Sequence, residues 1–212
     1  MINKQQCCYS ISPRSGIIST PPFISYVLMI DQILQFKISL KHSKPSIWRR
    51  VQIPSDSTFE DLHLIIQIAM GWCDEHLHDF CIKQDKNSEP LIFGVPSEDG
   101  FGTMETKAEW DYQVINFLAP KQKMIYTYDF GDNWEHEILF EKIIDPKPNQ
   151  LYPVCTAGKR ACPPEDIGGI WGYEHFLEAI KDPAHEEHEE MLEWVHDEFD
   201  PDAFDPKEVV FE

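Results

Sequence analysis

Residues 123–144 read KMIYTYDFGDNWEHEILFEKII, and this stretch decides the fold. Met124, Tyr126, Tyr128 and Phe130 recur at every second position, the period of a strand with one buried face. Gly131-Asp132-Asn133 supplies the residue types of a tight turn. Beyond it Trp134, His136, Ile138 and Phe140 share one face, while Glu135, Glu137 and Glu141 share the other. The spacing predicts an antiparallel hairpin, Lys123–Phe130 paired with Trp134–Ile144.

Working upstream, Leu34, Phe36, Ile38 and Leu40 alternate with Gln35, Lys37 and Ser39, a strand over Ile33–Leu40. His42-Ser43-Lys44-Pro45 is a connection, and a second strand over Ile47–Ile53 ends at Pro54. Ser57 with Glu60 three residues on predicts a capping box. Phe59, Leu62, Ile66, Ala69 and Met70 then form a helical stripe that Gly71 stops. A strand over His76–Lys83 follows. Residues 84–108 read as a polar insertion with one short strand at Leu91–Phe93. Downstream of the hairpin, Tyr152–Gly169 reads as a long irregular loop. Two helices follow, Trp171–Lys181 and one from Asp182-Pro183 to Phe199.

The order β-β-α-β-β-β-α-α predicts an α+β fold. The sheet is expected to be mainly antiparallel or mixed, roll or β-grasp-like, with helices packed on one face. Residues 29–206 are expected to form a single domain and residues 207–212 a tail. Residues 1–28, dominated by Ser, Pro and Ile, read as a disordered extension, and Met29 as the natural start.

The chain has 212 residues and a formal net charge of −19. Residues 182–212 alone carry 13 acids against one base. With only four arginines, Arg14, Arg49, Arg50 and Arg160, the field repels a phosphate backbone, which makes non-specific nucleic-acid binding unfavourable. No apolar run is long enough to cross a membrane. Six cysteines without a signal peptide point to reduced thiols and a cytoplasmic setting.

Several segments together resemble a known family. They are Pro45-Ser46-Ile47-Trp48-Arg49-Arg50-Val51, Ala69-Met70-Gly71-Trp72, His76-Leu77-His78-Asp79-Phe80, Tyr126 through His136, and Cys155 with the run Arg160 to Gly169. In this order they resemble the plasmid pRiA4b ORF-three-like family over about residues 30–206. The resemblance implies an α+β fold and no defined activity. Some members are labelled as passenger proteins of insertion elements, some with a resolvase-like name. A serine resolvase needs a nucleophilic Ser among several arginines, which four scattered arginines do not provide.

Four places could carry chemistry. His76 and His78, two apart on one strand, would project from one face, and with Asp132 and His136 could hold a divalent metal. The competing reading places His78 and His136 in the apolar rows of their strands. Cys155 and Cys162 are more widely spaced than the thiolates of zinc knuckles, so structural thiols, a redox pair or half a metal site remain. In the same loop Arg160 precedes Glu165 and Asp166. These two acids could cap the next helix, or join Asp129 and Asp132 in a carboxylate cluster that binds magnesium. Asp129-Phe130-Gly131 matches the kinase triplet without any other kinase motif, and the turn explains it. His185, His188, Glu189 and Glu193 read as an acidic solvated face.

Three functions follow. The first is an accessory module with an unknown protein partner, resting on tryptophans at element ends, Trp48, Trp72, Trp110, Trp134 and Trp171. The second is a metal-dependent hydrolase or nuclease whose cofactor is zinc, manganese or magnesium. The third is a nucleic-acid-associated factor of a mobile element.

Overall fold

The computed structural model describes residues 32–85, 87–96, 105–195 and 199–211. Residues 1–28 and Met29, read above as extension and start, lie outside them. Eight strands form one sheet: β1 (Ile33–Leu40), β2 (Trp48–Pro54), β3 (His78–Ile82), β4 (Leu91–Gly94), β5 (Thr106–Ala108), β6 (Lys123–Tyr128), β7 (Trp134–Ile144) and β8 (Val154–Lys159). Three helices accompany them: α1 (Phe59–Met70), α2 (Gly169–Lys181) and α3 (His188–Trp194). The fold is α+β, and the sheet is mixed and mostly antiparallel. Its order is β5-β4-β3-β6-β7-β1-β2-β8, with β4 and β5 the parallel pair.

The hairpin of residues 123–144 forms as the alternation requires, Tyr126 opposite His136 and Tyr128 opposite Trp134. β1 lies between β7 and β2, so Phe36 faces Phe140 on one side and Val51 on the other. Every second residue thereby builds one continuous apolar face, and Phe36 stacks on Phe140 with ring centroids 4.8 Å apart. Burying one such side chain contributes about 1.5–3 kcal/mol. α1 lies on this face, with Phe59 stacked on Phe93 at 4.1 Å and beside Phe80 at 5.3 Å. The opposite face is polar. Arg50 makes a two-pronged bond to Glu141 (2.7 and 2.9 Å), and Gln52 reaches Glu141 through Gln35.

Alternation along β2 turns Arg50 outward and Arg49 inward. Arg49 is 2% exposed and donates to the carbonyl of Ala69 (2.9 Å) in the last turn of α1. A cation is favourable at that negative end of the helix. The Phe204 ring covers the guanidinium at 3.8 Å.

Several boundaries differ from the sequence reading. The capping box is one residue later, Thr58 with Asp61, because the Ser57 carbonyl is engaged by the N–H of Val114. β5 and β8 occupy stretches read as insertion and loop. Both are edge strands lacking the alternation that marks a buried face. The third helix covers only His188–Trp194 of the longer span read for it. Beyond it Phe204, Val209 and Phe211 pack against the core.

Candidate metal centre

Three connections meet beyond the ends of β3 and β6. They are Gly71–Leu77 between α1 and β3, Asp129–Asn133 between β6 and β7, and Arg160–Gly168 between β8 and α2. The buried Trp72 donates from its indole to the Pro163 carbonyl (3.0 Å). Glu165 accepts from the Tyr128 hydroxyl (2.6 Å) and from the Cys73 N–H (2.9 Å). Tyr128 accepts in turn from the Glu75 N–H (3.0 Å). Burial, reinforced by the Glu165 carboxylate, pushes the Tyr128 hydroxyl far above its ordinary value. The hydroxyl therefore stays a donor, and the three connections are tied together.

At their meeting point His76 Nε2 lies 3.1 Å from Asp166 Oδ1 and 3.8 Å from Asp129 Oδ2. The nitrogen is shielded from solvent and makes no aligned hydrogen bond. Asp129 is oriented from behind, because its Oδ1 accepts the Gly131 N–H (2.8 Å) and leaves Oδ2 toward His76. Asp129 and Asp166 both adopt left-handed backbone, φ 54° and 58°. Such conformations cost about 1–3 kcal/mol each outside glycine and cluster at functional sites. One imidazole and two carboxylates are a donor set that suits zinc, manganese or magnesium.

The comparisons with known proteins bear on identity. Residues 32–208 match the family described as plasmid pRiA4b ORF-3-like protein. The chain belongs to this family. The uncharacterised protein y4hQ of Sinorhizobium fredii is 37% identical over 167 residues, covering 78% of this chain and 82% of that protein. A crystal structure of MM3350 from Methanosarcina mazei, a protein of unknown function, superposes with a TM-score of 0.78 at 42% identity. It covers 85% of this chain and 99% of that one.

This member of the pRiA4b ORF-3-like family does not bring His76, His78, Asp132 and His136 together. The ladder begins only at His78, so the alternation expected to align it with His76 does not operate. His78 stacks instead on His63 of α1, centroids 3.4 Å apart and planes 2° from parallel, and meets Glu109 at 2.7 Å. His136 is fully buried. Its Nδ1 donates to the Trp134 carbonyl (3.0 Å), its Nε2 has no partner, and burial lowers its pKa to about 4. Asp132 accepts the Gly168 N–H (3.0 Å) that opens α2.

The other residues singled out in that loop have local partners or are buried. Cys155 Sγ points to the Ala157 carbonyl (3.6 Å), and Arg160 pairs with Asp202. Burial pushes the Cys162 thiol up to about 12. Residues 196–198 lie outside the described part. Among the described residues, three groups of His and carboxylate side chains bring ligand atoms within 4.8 Å of one another: His76–Asp129–Asp166, His63–Asp74–His78 and His175–His185–Glu187. The second escaped the sequence reading. Its signal was His63 and Gln67, two polar residues four apart on the buried stripe of α1. Among the described residues no helix is long and apolar enough to cross a membrane.

Proposed function

We propose that this protein is a metal-dependent hydrolase that holds one divalent cation through His76 Nε2, Asp129 and Asp166. The observation that carries the reading is the position of His76 Nε2. It is shielded, lacks an aligned hydrogen bond, and lies 3.1 and 3.8 Å from two carboxylates. Three protein ligands would leave coordination positions for a water and a substrate oxygen, and a cation held there would supply Lewis-acid activation of both. The net charge of −19 disfavours polyanionic substrates, so the reading favours neutral or cationic ones over nucleic acid.

The test is calorimetric titration of chelator-stripped protein with manganese and zinc, followed by turnover of ester, amide and phosphoester probes. Asp129→Asn is expected to weaken binding at least tenfold, and the exposed Asp56→Asn to leave it unchanged. Equal affinities in both variants would sink the site. Binding without turnover of any probe class would remove the hydrolase assignment.

A second reading is an accessory, protein-interaction module of a mobile-element-associated family. What favours it is apolar exposure around the same meeting point: Leu77 62% and Phe130 54% exposed on two of the connections, and Trp171 79% exposed in the first turn of α2. Serine at all three positions should then abolish capture of a partner while leaving cation affinity intact. Retained capture counts against this module.

A further inference from the structure

α1 supplies no ligand to the candidate centre, yet it grips the segment that carries His76. His63 and Gln67 lie about one turn apart on its buried face, 3% and 0% exposed. His63 Nε2 is 2.8 Å from Asp74 Oδ1, and Gln67 Oε1 accepts the Asp74 N–H (3.2 Å). On their other side both reach one oxygen, the Tyr126 hydroxyl on β6, 2.8 Å from His63 Nδ1 and 2.9 Å from Gln67 Nε2. We infer that His63 is a positioning residue of the cation centre: through Asp74 it sets where the nearby His76 presents Nε2. The inference rests on the reading of His76, Asp129 and Asp166 as cation ligands.

One order of donors satisfies every group in this network. The Gln67 carbonyl oxygen is engaged by the Asp74 N–H, so Gln67 offers Tyr126 an N–H. Tyr126 accepts it and has its own proton for His63 Nδ1. The ring proton of His63 then sits on Nε2 and is donated to the Asp74 carboxylate. Burial lowers the His63 pKa despite the Asp74 carboxylate beside it, which keeps the ring neutral as this order requires. His78, bonded to Glu109 (2.7 Å), lies flat against the His63 ring, centroids 3.4 Å apart and planes 2° from parallel. Parallel rings do not direct their lone pairs at one point, so this cluster supports a neighbouring site instead of holding an ion itself.

What the network holds is a strained stem. Asp74 adopts left-handed backbone, φ 56°. A residue other than glycine stays there only when its surroundings fix it, and the two bonds from α1 do so. The flanking amides are engaged too, the Cys73 N–H by Glu165 (2.9 Å) and the Glu75 N–H by the Tyr128 hydroxyl (3.0 Å). Those two contacts tie the stem to the loop of Asp166, and the bonds from α1 tie it to β6 through Tyr126. His76 therefore enters the centre from a backbone fixed at each of the three preceding amides. A ligand held in place before the cation arrives loses less freedom on binding it.

The test is calorimetric titration of full-length, chelator-stripped protein with manganese and with zinc, alongside urea unfolding. Glutamine can place an amide nitrogen near imidazole Nε2, and asparagine an amide oxygen near Nδ1. His63→Gln thus keeps the bond to Asp74, whereas His63→Asn keeps only the one to Tyr126. His63→Asn is expected to weaken cation binding roughly tenfold or more, and His63→Gln to stay within about twofold of the wild type, although both unfold at lower urea. A purely structural role would move the two affinities together. Asp74→Ala changes a partly exposed side chain and should weaken binding as His63→Asn does. It decides alone should the His63 variants fail to fold. Wild-type affinity in His63→Asn or in Asp74→Ala, or equal losses in His63→Asn and His63→Gln, overturns the positioning role and leaves the cation centre standing. Wild-type protein that binds neither manganese nor zinc removes the centre and this inference together.

Discussion

The Tyr128 hydroxyl and the Glu165 carboxylate are 2.6 Å apart, joining the sheet to the loop that carries Asp166. Glu165 is the next residue to Asp166, so this bond sets where one proposed metal ligand stands. Tyr128→Phe leaves Glu165 with the Cys73 N–H and takes its strongest donor away. The expected cost is roughly 1–3 kcal/mol, read as a lower urea midpoint at unchanged slope. The variant should also bind manganese more weakly. An unchanged midpoint and affinity would show that the loop is placed by other contacts.

Gly169 opens α2 with φ 68°, and a Cβ there would collide with the Asp132 carbonyl. Gly71, which stops α1, has φ 92° and nothing within 4 Å of an added Cβ. Alanine at Gly71 pays only the left-handed backbone term, about 1 kcal/mol. Alanine at Gly169 adds a backbone clash and should destabilise by several times as much, with loss of the Asp132–Gly168 bond. Thermal unfolding of the two variants compares them directly, and equal losses would refute the close approach.

The strands at the centre were legible because each buries a full face, so their apolar residues recur at every second position. β8 was not, because at the sheet edge only Cys155 of its six residues is buried. The cap of α1 was misplaced by one residue because Ser57 and Thr58 are equally good caps. A contact from Val114, remote in sequence, decides between them. The same holds for chemistry. His76, Asp129 and Asp166 come from three separate connections; the sequence suggests Asp129 and Asp166 as part of one carboxylate cluster, but nothing local adds His76 to it. Spacing along one strand suggested His76 with His78, whereas the late start of β3 sends them to different clusters. His63 and Glu109 carry no local motif, and only the packing of α1 on the sheet brings them to His78.

The Cys155 and Cys162 thiols are pushed upward by burial, Cys162 to about 12, and the neighbouring Arg49 guanidinium only partly offsets this. Alkylation requires the thiolate. Both cysteines should therefore resist iodoacetamide at mildly alkaline pH in the native protein and react once it is unfolded, as peptide mass mapping would report. Native-state labelling of Cys162 at the rate of a free thiol would restore the redox-pair reading of this loop.

His136 supplies a pH dependence of defined sign. Its ring is fully buried, and burial lowers its pKa from 6.5 to about 4. Above pH 6.5 the imidazole is neutral in both folded and unfolded chains and contributes no slope. Between the two values the unfolded chain binds the proton and the folded chain does not, so stability falls as the pH drops. The loss levels off below the folded value, at about 3 kcal/mol for a shift of this size. His136→Leu removes the titrating group, so this part of the acid-induced loss should vanish. The variant also gives up the bond to the Trp134 carbonyl, which lowers its stability at neutral pH. Urea midpoints from pH 7 to pH 4 separate the two effects, one being an offset and the other a slope. An unchanged slope in His136→Leu would mean that Nε2 also finds a proton acceptor in the folded protein, beyond the Trp134 carbonyl that Nδ1 already meets.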